Sequence, residues 1–117
     1  MNILTLIIKQ SYFDQILTGE KLQEFREIRP KSLKKYCEVG KNGLAVVNDG
    51  IVQARKYDAI RFFVGYNKDR DTALVEVKDA NIEIFVDEEG EFIEYEEAGE
   101  IYIMSQVVYD LGKVLEH

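Results

Sequence analysis

The sequence predicts an α+β fold that is mostly β, a partly open barrel of about six or seven mainly antiparallel strands with two short helices near the N-terminus. Three observations lead there. After residue 43, period-two runs follow one another with no helical pattern between them, which disfavours a parallel, doubly wound sheet. Both helix signals fall in the first third of the chain, one ending at Gly19 and one beginning at Pro30, in keeping with glycine as a helix stop and proline as a first helical residue. Asp49-Gly50 lies between two short aliphatic runs, the arrangement of a tight hairpin.

In chain order, Asn2 to Lys9 is so dense in Ile and Leu that it reads as a central strand buried on both faces. Ser11 is the expected cap of the first helix, with Asp14 three residues on as a short capping box and Tyr12, Phe13, Ile16 and Leu17 as its apolar stripe. Pro30 opens a second helix through about Tyr36 that carries Lys31, Lys34 and Lys35. These lysines read either as a solvated face or, with Arg29, as a phosphate path. A hairpin is expected about Asn48-Asp49-Gly50, then a strand from Ala59 to Tyr66. A strand from about Thr72 to Lys78 should break at Asp79-Ala80-Asn81 and resume as Ile82 to Val86. The segment 87–100 holds 8 acidic residues and reads as an exposed loop or a frayed helix around Phe92 to Ala98. Ile101 to about Tyr109 should close the sheet.

With 117 residues, 46% of them hydrophobic, the chain has the size of one domain, placed at residues 1–114. Leu115-Glu116-His117 resembles the start of a vector-encoded affinity tail. No apolar run approaches the roughly 18 residues of a membrane span, and Met1-Asn2 lacks a basic signal-like start. Together with the lone Cys37, this points to a cytoplasmic protein with no membrane partner. Setting His117 aside leaves no histidine, which removes Ser-His and Cys-His nucleophile pairs and most zinc sites, so neither a metal nor a cofactor is expected. Cys37, lacking a base, reads as an inert thiol. The net charge is −7, but Glu20 to Arg70 holds 12 basic against 7 acidic residues, whereas Asp71 to His117 holds 2 against 14. Such asymmetry fits either a basic ligand face or a solvated surface without a partner.

The densest chemistry lies in Gly19-Glu20-Lys21-Leu22-Gln23-Glu24-Phe25-Arg26. Read as a strand, it puts Leu22, Glu24, Arg26 and Ile28 on one face and Lys21, Gln23, Phe25 and Glu27 on the other. Same-face residues are roughly 6.6 Å apart, within reach of an Arg26 fork onto Glu24. Arg26 can grip phosphate or a planar carbonyl edge, Glu24 can accept from an exocyclic amine, and Lys21 supplies a mobile positive charge. That set suits a nucleobase or nucleotide, for which Tyr12, Tyr66 and Phe25 are the candidate stacking platforms. The plain alternative is a surface ion pair with Gly19 as a helix stop.

The spacing G-x-K-x-x-E-x-R, met here as Gly19, Lys21, Glu24 and Arg26, resembles the signature of the ASCH family, small domains related to the PUA barrel. The resemblance implies a PUA-like fold over most of the chain and a cleft lined by Lys21, Glu24 and Arg26, to which residue type adds Tyr66 as a further ligand contact. The implied partner is RNA or a nucleotide-containing small molecule. One branch of the family is similar to amidohydrolases that deacetylate N4-acetylcytidine with the motif lysine and a threonine three residues later. Lys21 and Glu24 would then be the catalytic pair, but Glu24 stands at the threonine position and cannot repeat its acyl transfer. Thr18 and Thr72 are the other hydroxyls to consider, and Glu76 the other carboxylate. A third alternative is a protein-interaction module that uses the acidic segment.

Overall fold

The computed structural model describes residues 1–117, and strand outweighs helix by 51% to 14%, so the chain is α+β and mostly β. It packs as two compact units, one made of Met1–Glu24, Lys56–Ala80 and Tyr109–His117, the other of Phe25–Arg55 and Asn81–Val108.

The first unit begins with β1 (Ile3–Ile8), α1 (Gln10–Thr18) and β5 (Ala59–Val64). β1 pairs in parallel with β5, Ile3 opposite Ala59 through Ile8 opposite Val64. β6 (Thr72–Ile84) runs antiparallel to β5, with Phe63 opposite Thr72 and Ala59 opposite Glu76. With β2 (Gln23–Glu27) and β9 (Ser105–Glu116), the hydrogen-bonded order is β1-β5-β6-β9-β2. β1 is therefore an edge strand, not the central one that its aliphatic run predicts. Its burial alternates: Leu4, Leu6 and Ile8 are buried, while Ile3 is 40% exposed and Thr5 is in solvent. An isolated exposed isoleucine costs little, so residue type alone does not report which face is wet.

Helix α1 starts at Gln10, directly after β1, so Ser11 lies inside it and does not cap it. The first helical bond runs from the Phe13 N–H to the Lys9 carbonyl at 3.0 Å. A side-chain cap contributes about 1 kcal/mol, less than the burial of Phe13 and Ile16 against the sheet, so packing decides where the helix begins. Gly19 ends it as expected, with φ of 83° and its N–H on the Ile16 carbonyl at 3.2 Å. β5 stops at Val64 rather than Tyr66, because Gly65 takes φ of +67° and turns the chain.

The predicted break at Asp79-Ala80-Asn81 is absent: β6 is continuous for 13 residues. What changes there is burial, since Ala73, Leu74 and Val75 are buried and Lys78 and Asp79 exposed. The division between the units also falls between Ala80 and Asn81. The polar triplet thus marks a change of neighbours while the backbone ladder continues.

In the second unit, a 3₁₀ turn (Pro30–Ser32) leads into α2 (Leu33–Tyr36), as Pro30 predicts. β3 (Val47–Asn48) and β4 (Ile51–Val52) form the expected hairpin about Asp49 and Gly50, whose φ values of 51° and 77° are those of a type I′ turn. The acidic segment departs from the loop or frayed helix expected of it. β7 (Glu94–Glu97) and β8 (Glu100–Ile103) are an antiparallel ribbon, turned at Ala98 and Gly99 with φ of 52° and 82°. The last strand consequently starts at Ser105 and runs to Glu116, where the sequence predicts Ile101 to Tyr109.

Candidate functional site

Lys21 and Glu24 come together in the first unit, on a segment anchored at both ends. The Lys21 N–H donates to the Gln15 carbonyl of α1 at 3.0 Å, and the Leu22 carbonyl accepts from the Leu111 N–H of β9 at 2.9 Å. The Gln23 side chain donates to Asp110 Oδ1 at 2.7 Å. From this base Lys21 Nζ lies 3.5 Å from Glu24 Oε1 and 5.4 Å from the centroid of the Tyr12 ring. Burial is graded across the group, with Glu24 5% exposed, the Lys21 side chain 17% and Tyr12 47%. An exposed pair of this kind contributes about 0.2–1 kcal/mol. A carboxylate as buried as Glu24 carries a desolvation cost of several kcal/mol, which its partners must offset, so losing one partner is expensive. The arrangement therefore sets a largely covered ammonium between a buried carboxylate and a half-exposed aromatic ring.

The strand alternation expected of the motif holds from Glu24 onward: Glu24 and Ile28 are buried, Arg26 half-buried, Phe25 and Glu27 exposed. Leu22 departs from it, 64% exposed, because it precedes the strand that starts at Gln23. Arg26 and Phe25 belong to the second unit. Tyr66, expected as a stacking platform, stands in the β5–β6 loop at 85% exposure and is not brought to Lys21. Of the remaining polar candidates, the Thr18 hydroxyl donates to the Gln15 carbonyl at 3.2 Å, and the buried Thr72 hydroxyl has no hydrogen-bond partner. Glu76 lies across Gly112, where a Cβ would collide with it, and accepts from the Lys113 N–H at 3.4 Å. None of these three is engaged with Lys21 or Glu24 through those bonds.

The second unit holds a cluster that sequence reasoning missed. The Arg29 guanidinium lies 4.3 Å from the Tyr95 ring centroid and 2.7 Å from Glu27 Oε1. Tyr95 in turn stacks on Tyr102 at 5.7 Å with the planes 28° apart, the two being directly opposed across β7 and β8. The Tyr102 hydroxyl donates to Glu100 Oε2 at 2.9 Å, and this bond to the carboxylate raises the phenol above its ordinary range. The signal was a tyrosine flanked by charged or aliphatic residues on each side of Ala98-Gly99, visible only once that dipeptide is read as a turn. Arg29 is thus engaged within the protein, whereas Lys31, Lys34 and Lys35 are exposed. Cys37 is buried, which pushes its thiol up and away from reactivity. No group of three or more His, Cys, Asp or Glu is placed to hold a metal ion, and no helix is long and apolar enough to cross a membrane. Compared with known proteins, the chain matches no family model, no curated protein and no solved structure.

Proposed function

We propose that this chain is an ASCH-type, PUA-like domain that binds RNA or a modified nucleoside at Lys21. The observation that carries the reading is the graded group of Glu24, Lys21 and Tyr12, in which a buried carboxylate holds an ammonium beside a half-exposed ring. Lys21 donates to a phosphate or a ring carbonyl, and Tyr12 offers stacking area. Glu24 acts mainly by fixing Lys21, since little of it reaches solvent. Arg26 completes the resemblance in sequence, but the reading rests on the first unit alone. Binding is favoured over amide hydrolysis because Glu24 occupies the nucleophile position and neither Thr18 nor Thr72 hydrogen bonds to the lysine or the carboxylate.

The test incubates the purified protein with ribonucleosides, N4-acetylcytidine and short RNAs, with retention and free acetate both followed by mass spectrometry. Retention is expected without acetate release. Tyr12→Leu should weaken retention by about 1–3 kcal/mol if one base stacks there, and Lys21→Gln should flatten the salt dependence of RNA binding. Binding indifferent to both substitutions would remove the site, and acetate release would move the protein to the hydrolase reading.

A further inference from the structure

An open groove of about 540 Å³ lies at the opposite end of α1 from Gly19, lined by Gln10, Val64 and the loop Asn67 to Asp71. Its size is that of a small-molecule site. In its loop, Lys68, Asp69, Arg70 and Asp71 alternate in sign, and none of the four ion-pairs with another. Two of them are held by other means. Arg70 stacks on Phe63, guanidinium carbon to ring centroid 4.0 Å, and donates through Nη1 to the Gly65 carbonyl at 3.0 Å, which leaves most of its five N–H donors available. Asp71 Oδ2 accepts from the Gln10 side chain at 3.2 Å, and the same amide donates to Asp14 Oδ1 at 2.9 Å, so Gln10 is braced between two carboxylates.

A fixed guanidinium and a fixed carboxylate on one groove, each left without the other as partner, are complementary to a ligand that carries both charges. We propose that this groove binds a small zwitterion of the amino-acid type, its carboxylate forked on Arg70 and its ammonium on Asp71. The balanced lining selects this class over a phosphate dianion, which would meet two carboxylates along with the two cations. Asn67 and Val64 face whatever side chain the ligand carries, and because the groove opens to solvent the affinity is modest. The site is separate from the Lys21 group and does not depend on the nucleotide reading.

The experiment is a titration of the ¹⁵N-labelled protein, followed by amide and side-chain NMR shifts, with L-alanine, L-glutamine and L-tyrosine. Alaninamide, which lacks the carboxylate, N-acetylalanine, which lacks the ammonium, and inorganic phosphate complete the set. Saturable shifts at Gln10, Asn67 and the Arg70 side chain are expected with at least one of the amino acids. Both alanine derivatives should bind roughly tenfold or more weakly than alanine, the size of one lost charge-assisted contact. Arg70→Gln should abolish the preference for alanine over its amide, and Asp71→Asn the preference over N-acetylalanine, with unchanged spectra elsewhere showing that the fold is intact. No shift with any of the three amino acids, equal binding of the derivatives, or tighter binding of phosphate would each overturn the proposal.

Discussion

The two units divide the chain almost evenly, yet 13 of the 18 buried apolar side chains belong to the first and only Ile28, Tyr36, Cys37, Val107 and Val108 to the second. The first is built on apolar burial: β1, α1, β5, β6 and the end of β9 contribute Leu6, Phe13, Ile60, Phe62, Val75 and Tyr109 as buried side chains. The second is built on turn chemistry and ladders, with two ribbons turned by left-handed residue pairs and a cation stacked on Tyr95. The difference teaches that a strand count says little about what holds strands. Similar lengths of chain reach order by different terms, and the second should open locally at lower free energy because fewer apolar contacts must be broken.

The sharpest test of that contrast is Phe62→Ala, which empties a site of 0% exposure in the first unit. It should cost about 3–5 kcal/mol in denaturant unfolding; a loss below about 1 kcal/mol would mean that the first unit is not organised around burial. Gly99→Ala comes next, since φ of 82° at that turn penalises a Cβ even though the space around it is open. A cost of about 1–2 kcal/mol is expected, accompanied by faster amide exchange in β7 and β8 while β1 and β5 keep their protection. Equal acceleration in both would erase the contrast. Arg29→Lys keeps the charge but loses the planar stack on Tyr95, and for a partly exposed guanidinium about 0.5–1 kcal/mol should be lost.

The smallest effect concerns pH. Burial raises the Cys37 thiol above its unfolded value, so the protein gains full benefit from the neutral thiol below the ordinary thiol range. That benefit is lost as pH climbs from the unfolded value through the folded one. Between about pH 8 and pH 10, stability should therefore fall more steeply in the parent than in Cys37→Ala. Identical slopes would show that the thiol contributes nothing to the alkaline limb.

Comparison of the two hairpins shows what was legible. Asn48-Asp49-Gly50 announces its turn, because Asp and Gly both tolerate positive φ and the flanking residues are aliphatic. Ala98-Gly99 makes the same turn with an alanine at φ of 52°, a residue with no intrinsic preference for it. There the Tyr95–Tyr102 pair and the backbone ladder impose the conformation, and an acidic, helix-compatible stretch becomes a ribbon. The motif behaves in the same divided way. Alternation put Glu24, Arg26 and Ile28 on one face, but only the burial of Glu24 and Ile28 makes that face the inner one; residue type offered Tyr12 as a platform, and α1, which carries it seven residues before Gly19, delivers it to Lys21.

By itself, then, the amino-acid order determined the mostly β composition, the Gly19 helix stop, the Pro30 helix, the Asp-Gly hairpin and the shared face of Glu24, Arg26 and Ile28. Each depends on backbone preferences or on a period that neighbouring residues share. Tertiary structure alone decided that β1 lies at an edge, that β6 runs unbroken through Asp79-Ala80-Asn81, that Ala98-Gly99 turns a ribbon, and that Gln10, Arg70 and Asp71 meet at one groove. Those outcomes depend on which strands pair and which faces are covered, and the free energy of pairing and burial, summed over many residues, exceeds the few tenths to about 1 kcal/mol by which any one residue prefers its local conformation.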